Sequence, residues 1–319
     1  MANNKVTIIG AGNVGSTIAY TLNFCHYIHQ IALIDLPGKM EKIESEILDI
    51  THGLPLRCSG KLYAGDYPDC RDSKIIIIAA GRNRLESESR IDLLSVNAHI
   101  ISDVVTNIAP FYKDSIVILI TNPNDMLAHM VHEIGVFPYS KFFATGCILD
   151  SSRFISQMVQ KLQLKNQDIK GYVAGEHGEM QFILWSHLKL KNKAVNEYCQ
   201  INNIVWNDEI MDDIQSKTKS YGSDIIKGKA FTNYGIASCV LFLVDSIIND
   251  IEIIVSICCE MMGEFDIVNV AMSLPTIING NGIRERVIHG YTKKEVNQLY
   301  NIASYLKQKM HKHTRKIVY

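Results

Sequence analysis

The sequence predicts an α/β protein, with a doubly wound parallel sheet in its first half and an α+β unit in its second. Short, fully apolar, β-branched runs alternate with amphipathic helical stretches up to about residue 147. A glycine-rich turn joins the first of those runs to the first helical stretch, and beyond residue 147 the pattern changes to longer helices and alternating strand-like pieces. A chain of 319 residues that is 47% hydrophobic has core material for two such units, divided here as 1–147 and 148–319 with no flexible linker.

The strands of the first half read as VTII (6–9), IALID (31–35), IIIIAA (75–80) and IVILIT (116–121). Between them VGSTIAYTLNF, KMEKIESEILDI and the stretch 89–109 are apolar at helical spacing. Strands apolar on both faces and separated by helices indicate a parallel sheet covered on both sides. In the second half GYVAG and FILWSHLKL read as strand pieces, and a helix from about Thr292 to Met310 closes the chain. The stretch IASCVLFLVDSIINDIEIIVSICC is interrupted by Asp245, Asp250 and Glu252, and so reads as a buried helix leading into a strand rather than a membrane span.

Composition removes several classes of function. A formal net charge of -1 argues against a general nucleic-acid binder. Only KQKMHKHTRK near the C-terminus is locally basic, which is the pattern of a solvated helix end. The 8 cysteines are scattered without a C-x-x-C pair, as expected of reduced thiols in a cytoplasmic protein. MANNKVTIIGAG lacks the basic segment and cleavage site of a secretory leader, so export is not expected. No ligand set for a metal is apparent.

Gly10-Ala11-Gly12-Asn13-Val14-Gly15 is a G-x-G-x-x-G between a strand and a helix, where a dinucleotide pyrophosphate meets a helix N-terminus. The first glycine permits the turn, the second lets backbone approach the phosphates, and the third lets helix and strand pack closely. Asp35 ends the second strand 20 residues after Gly15, placed to accept from the adenosine ribose hydroxyls. Leu36 and Pro37 follow it rather than an arginine, which favours NAD over NADP. Together these features describe a Rossmann-type NAD-binding half. Three packing glycines and a solvated aspartate are the bland alternative.

Further along stand ITNPND (120–125), ILDSSRF (148–154), GEHGE (175–179), FTNYGIA (231–237) and ESESR ending at Arg90. Taken in chain order, with ESESR first, the motifs resemble the signature set of the L-lactate/malate dehydrogenase family, and the likeness runs from Lys5 to about Arg286, where LPTIINGNGIRE fits the family's late strand pair. The resemblance implies hydride transfer between NAD and a small 2-hydroxy or 2-oxo acid by a homotetramer or dimer. It implies His177 as acid/base, Asp150 as its orienting partner, and Arg153 as the fork for the substrate carboxylate. Asn122 would contact both the reacting carbonyl and the nicotinamide, Thr232 would touch the substrate near its carboxylate, and Arg90 would polarise the carbonyl from a closing loop.

The residue types suit those roles. An imidazole titrates near working pH, a guanidinium binds carboxylate bidentately, and a neighbouring cation stabilises charge growing on a carbonyl oxygen. Asp150 on its own also reads as an N-cap for SSRFISQMVQKL.

Arg84 occupies the family's substrate-discriminating position, where lactate enzymes carry glutamine and malate enzymes arginine. Glu88, Glu176, Trp185, and Thr232 with Tyr234 follow the lactate branch. Leu85-Glu86-Ser87 replaces the usual Lys-Pro-Gly, and Glu179 stands for the usual aspartate. The expectation is an L-lactate dehydrogenase-like enzyme, with malate activity through Arg84 or a bulkier 2-oxo acid as alternatives. A non-catalytic NAD-binding protein is the rival from another class. It would keep Gly10, Gly12, Gly15 and Asp35 but would be free to lose His177, Asp150 or Arg153.

Overall fold

A computed structural model describes residues 4–53, 60–82 and 90–317. The first half runs β1 (Lys5–Ile9), α1 (Asn13–Leu22), β2 (Gln30–Ile34), α2 (Met40–His52), β3 (Lys61–Ala64), β4 (Ile75–Ile78), α3 (Arg90–Ile108), β5 (Ile116–Leu119), α4 (Asn124–Ile134) and β6 (Phe142–Ala144). Its six strands are parallel in the order β3-β2-β1-β4-β5-β6.

The apolar runs form strands because both sheet faces are buried. Along β4, Ile75 and Ile77 join one hydrophobic cluster while Ile76 and Ile78 join the other. On β5, Ile116 and Ile118 face the first cluster, and Val117 and Leu119 the second. A two-residue repeat makes every position of such a strand a core position, which is why alternation is absent from the sequence.

After residue 147 come α5 (Ile148–Leu162), the short strands β7 (Ile169–Lys170), β8 (Val173–Ala174), β9 (Phe182–Ile183), β10 (Lys189–Leu190) and β11 (Lys193–Ala194), and α6 (Val195–Ile201). There follow α7 (Asp208–Lys229), α8 (Tyr234–Ile248), β12 (Ile253–Met262), β13 (Val268–Asn279), β14 (Gly282–Arg286) and α9 (Lys293–Ile317). The antiparallel strands β12 to β14 add to the edge at β6, giving the order β14-β13-β12-β6-β5-β4-β1-β2-β3. One sheet therefore crosses the division near residue 147, with the two large clusters on its opposite faces. A third cluster gathers α5, α6 and the first half of α7 around the small strands.

Two differences from the sequence expectation have local causes. FILWSHLKL is not one strand: a single turn at Trp185–His187 separates β9 from β10, and there Trp185 packs edge-on against Phe154 and Trp206. The pieces β3 and β6 carried no strong signal, because β3 has one buried residue at the sheet edge and β6 is 3 residues long. The apolar stretch from Ile236 divides into α8 and β12 as expected, and no described helix is long and apolar enough to cross a membrane. All the described cysteines are free thiols.

Candidate active site

The turn after β1 is built as the glycine pattern demands. Gly10 has φ +108°, and a Cβ there would lie 2.5 Å from the backbone N of Ala80. A Cβ on Gly15 would lie 1.8 Å from the carbonyl oxygen of Gly10, so only glycine lets α1 approach β1 this closely. At Gly12 a Cβ would meet nothing within 4 Å, so this glycine answers no packing demand of the chain itself. It keeps the backbone open where the pyrophosphate of a dinucleotide would come. Gly12 caps α1 without a side-chain hydrogen bond, and a helix N-terminus of this kind suits an anion.

Asp35 follows β2 and is fixed beside this turn. Its Oδ2 accepts from the Ala11 N–H at 2.9 Å, and its Oδ1 accepts from the Leu36 N–H at 2.8 Å. Oδ1 also lies 3.5 Å from Nζ of Lys39, and Oδ2 keeps a second lone pair for a ribose hydroxyl. These residues fit NAD.

The chemistry-bearing residues of the second half meet at one carboxylate. Asp150 lies in the first turn of α5, whose N-cap is Cys147, so it is an acid inside the helix start rather than the cap that the sequence also allowed. It is wholly buried. Its Oδ2 lies 2.6 Å from Nδ1 of His177, and its Oδ1 accepts from Nη1 of Arg153 at 2.9 Å. Burial alone would raise the Asp150 proton affinity, but the charges and hydrogen bonds of His177 and Arg153 hold it below the usual carboxylate range. Burial would likewise discharge His177, yet the Asp150 charge and hydrogen bond, helped by Asp125, raise its proton affinity above that of a free imidazole.

His177 stands in a short loop between β8 and β9. Gly175, at φ +96°, starts that loop, and a Cβ on it would fall 2.6 Å from Ile302. Glu176 accepts from the Met180 N–H at 3.0 Å, and the His177 N–H donates to Oδ2 of Asp125 at 2.8 Å.

Asn122 sits at the carboxyl end of β5 with its side chain exposed, and its carbonyl accepts from Nδ2 of the buried Asn97 at 2.7 Å. Asn97 also brackets Arg82, accepting from its N–H at 3.0 Å and donating to its carbonyl at 3.2 Å. It thus ties Asn122 to Arg82. Sequence reading missed Asn97; the signal was a single amide on an otherwise apolar helix face.

Thr232 lies half-buried in the connection between α7 and α8. The next residue, Asn233, donates to Oγ1 of Thr17 at 2.9 Å and so anchors that connection to α1. Arg84 lies outside the described residues. Arg90 opens α3, and nothing further is described of its side chain.

Known proteins match the chain along nearly its full length. The lactate/malate dehydrogenase NAD-binding domain matches residues 4–144, and the lactate/malate dehydrogenase alpha/beta C-terminal domain matches 147–317. An L-lactate dehydrogenase of Acetivibrio thermocellus is 32% identical over 304 residues, covering 95% of both chains. Another, from Priestia megaterium, is 33% identical over 304 residues with the same coverage. Among solved structures, a lactate dehydrogenase from a Medee basin deep-sea metagenome library superposes with a TM-score of 0.92 at 30% identity, covering 98% of this chain and 100% of that one. The ligand-bound minor L-lactate dehydrogenase of Enterococcus mundtii gives a TM-score of 0.92 at 28% identity, over 98% and 99% of the two chains. With a dinucleotide turn in the first half and the His177–Asp150–Arg153 cluster in the second, this chain belongs to the lactate/malate dehydrogenase family of NAD-dependent oxidoreductases that act on 2-hydroxy acids.

Proposed function

We propose that the chain interconverts pyruvate and L-lactate, with His177 as the acid/base of the reaction. The observation that carries this is the single buried carboxylate of Asp150, bonded at once to His177 and Arg153. Because Asp150 takes Nδ1, the proton exchanged with substrate oxygen is held at Nε2 of His177. The tie between Asp150 and Arg153 sets where a substrate carboxylate can dock, since a guanidinium presents donors in a fixed plane. The reacting carbon then has one allowed position relative to the imidazole.

Bound NADH supplies the hydride for that carbon. Gly10, Gly12, Asn13, Val14, Gly15 and Asp35 hold the dinucleotide, and Asn122 orients the carbonyl oxygen and the nicotinamide from the carboxyl edge of the sheet. Thr232 packs beside the substrate carboxylate. Arg90 polarises the carbonyl and stabilises the charge that grows on its oxygen.

Arg84 favours a second substrate. A guanidinium in that segment pairs with the distal carboxylate of oxaloacetate, which makes malate the alternative product. The altered residues Leu85-Glu86-Ser87 favour a bulkier 2-oxo acid as a third. We further assign residues 1–147 to cofactor and 148–319 to substrate, and the working state to a homotetramer or dimer serving glycolysis in the cytoplasm. Light scattering of the purified chain tests the oligomer.

The substrate assignment is tested by following NADH absorbance with pyruvate, oxaloacetate and 2-oxoisocaproate in parallel. The highest kcat/KM is expected with pyruvate; oxidation of NADH by none of the three overturns the proposal.

A further inference from the structure

His177 is held at two places by two different aspartates. Asp150 takes its ring, and Asp125 takes its main-chain N–H at 2.8 Å. Asp125 is 3% exposed and lies in the first turn of α4, three residues beyond Asn122. Its second oxygen, Oδ1, is buried without a well-formed hydrogen bond. The side-chain donor toward this carboxyl is the thiol of Cys258 on β12, and a thiol donates weakly.

Accepting one backbone N–H does not require a charge. An asparagine would accept as well, and would cost less to bury than a carboxylate so poorly supplied with donors. Where such a carboxyl is ionised, its charge acts on the groups beside it. We propose that Asp125 is a positioning residue for His177: it fixes the main chain of the histidine relative to the Asn122 end of β5, and its carboxylate supports the imidazolium.

This rests on the proposed role of His177. The titratable groups facing Asp125 are Glu176 and His177 from the loop after β8 and Cys258 from β12, with Cys147 and Asp150 of the α5 start behind them. Burial, then the nearby Glu176, push the Asp125 proton affinity up to about 7, and His177 opposes them. The Asp125 charge in turn raises the proton affinity of His177. Each group therefore biases the protonation of the other.

The test compares Asp125→Asn and Asp125→Ala with the parent enzyme in two measurements. One is the titration of the His177 ring by NMR, assigned with His177→Ala. The other is kcat for NADH oxidation against pH. Asp125→Asn keeps the acceptor and loses the charge, so the His177 titration should move down by about one pH unit. Asp125→Ala loses both, and kcat should fall a further 10- to 100-fold, roughly the cost of a displaced catalytic group.

An unmoved His177 titration in Asp125→Asn overturns the electrostatic support, and a parental kcat in Asp125→Ala overturns the positioning. If Asp125→Ala does not fold, Asp125→Asn still decides. Should His177 not be the acid/base, the titration still shifts while the rate of His177→Ala stays at the parental level, which separates failure of that role from failure of this inference.

Discussion

Nδ1 of His177 lies 2.6 Å from a carboxylate of Asp150 that has almost no contact with water. The charge pair is therefore strongly felt, because little solvent screens it. The same carboxylate is kept from being a lone buried charge by Arg153 on its other oxygen. Three side chains make one electrostatic unit, and its members are predicted to fail in distinguishable ways.

His177→Ala should remove the acid/base and leave the dinucleotide turn untouched. Turnover is expected to fall at least about 100-fold, the lower end of what acid–base help contributes. NADH affinity, measured by fluorescence titration, should stay within a few-fold of the parent. Turnover above about one hundredth of the parent contradicts the role.

Asp150→Asn should shift the pH response as well as slow the reaction. Asp150 raises the proton affinity of His177, so its loss lowers that affinity. Pyruvate reduction needs the protonated imidazole, and its alkaline limb should move to lower pH. Lactate oxidation needs the neutral ring, and its acid limb should move the same way. Limbs that stay in place would show that Asp150 acts by packing alone.

Arg84→Gln tests the substrate. If the guanidinium pairs with a distal carboxylate, kcat/KM for oxaloacetate should drop by a factor equivalent to about 2–5 kcal/mol while that for pyruvate rises. An unchanged ratio of the two removes malate as an alternative.

Activation by fructose 1,6-bisphosphate is not expected. The resemblance to bacterial members of the family implies a phosphate site built on an arginine and a histidine at positions where Ile155 and Lys170 stand here. Ile155 packs against the third hydrophobic cluster and has nothing to offer a phosphate, and the exposed Lys170 offers a single point charge. Rates at subsaturating pyruvate with and without millimolar effector check this. A several-fold rise in apparent affinity would reveal a different phosphate site.

The sequence by itself determined the parallel first half, the dinucleotide turn, and the residues of the His177–Asp150–Arg153 cluster. The first two rest on local spacing, and the cluster rests on the set of motifs that resembles the lactate/malate dehydrogenase family. Gly15 answers a contact within one β-turn-α unit, and Asp150 and Arg153 share a helix face because they are one turn apart. Tertiary structure alone decided the contacts between segments distant in sequence. Asn97 joins Asn122 to Arg82, Asn233 ties the Thr232 connection to α1, and Asp125 reaches the main chain of His177 across a separation of 52 residues. A lone Asn or Asp on an apolar helix carries no periodic signal, and its partner is set only when strands distant in sequence come to lie side by side. The continuation of the sheet from β6 into β12 belongs to the same class, since strand order follows from packing a whole face and not from any single segment.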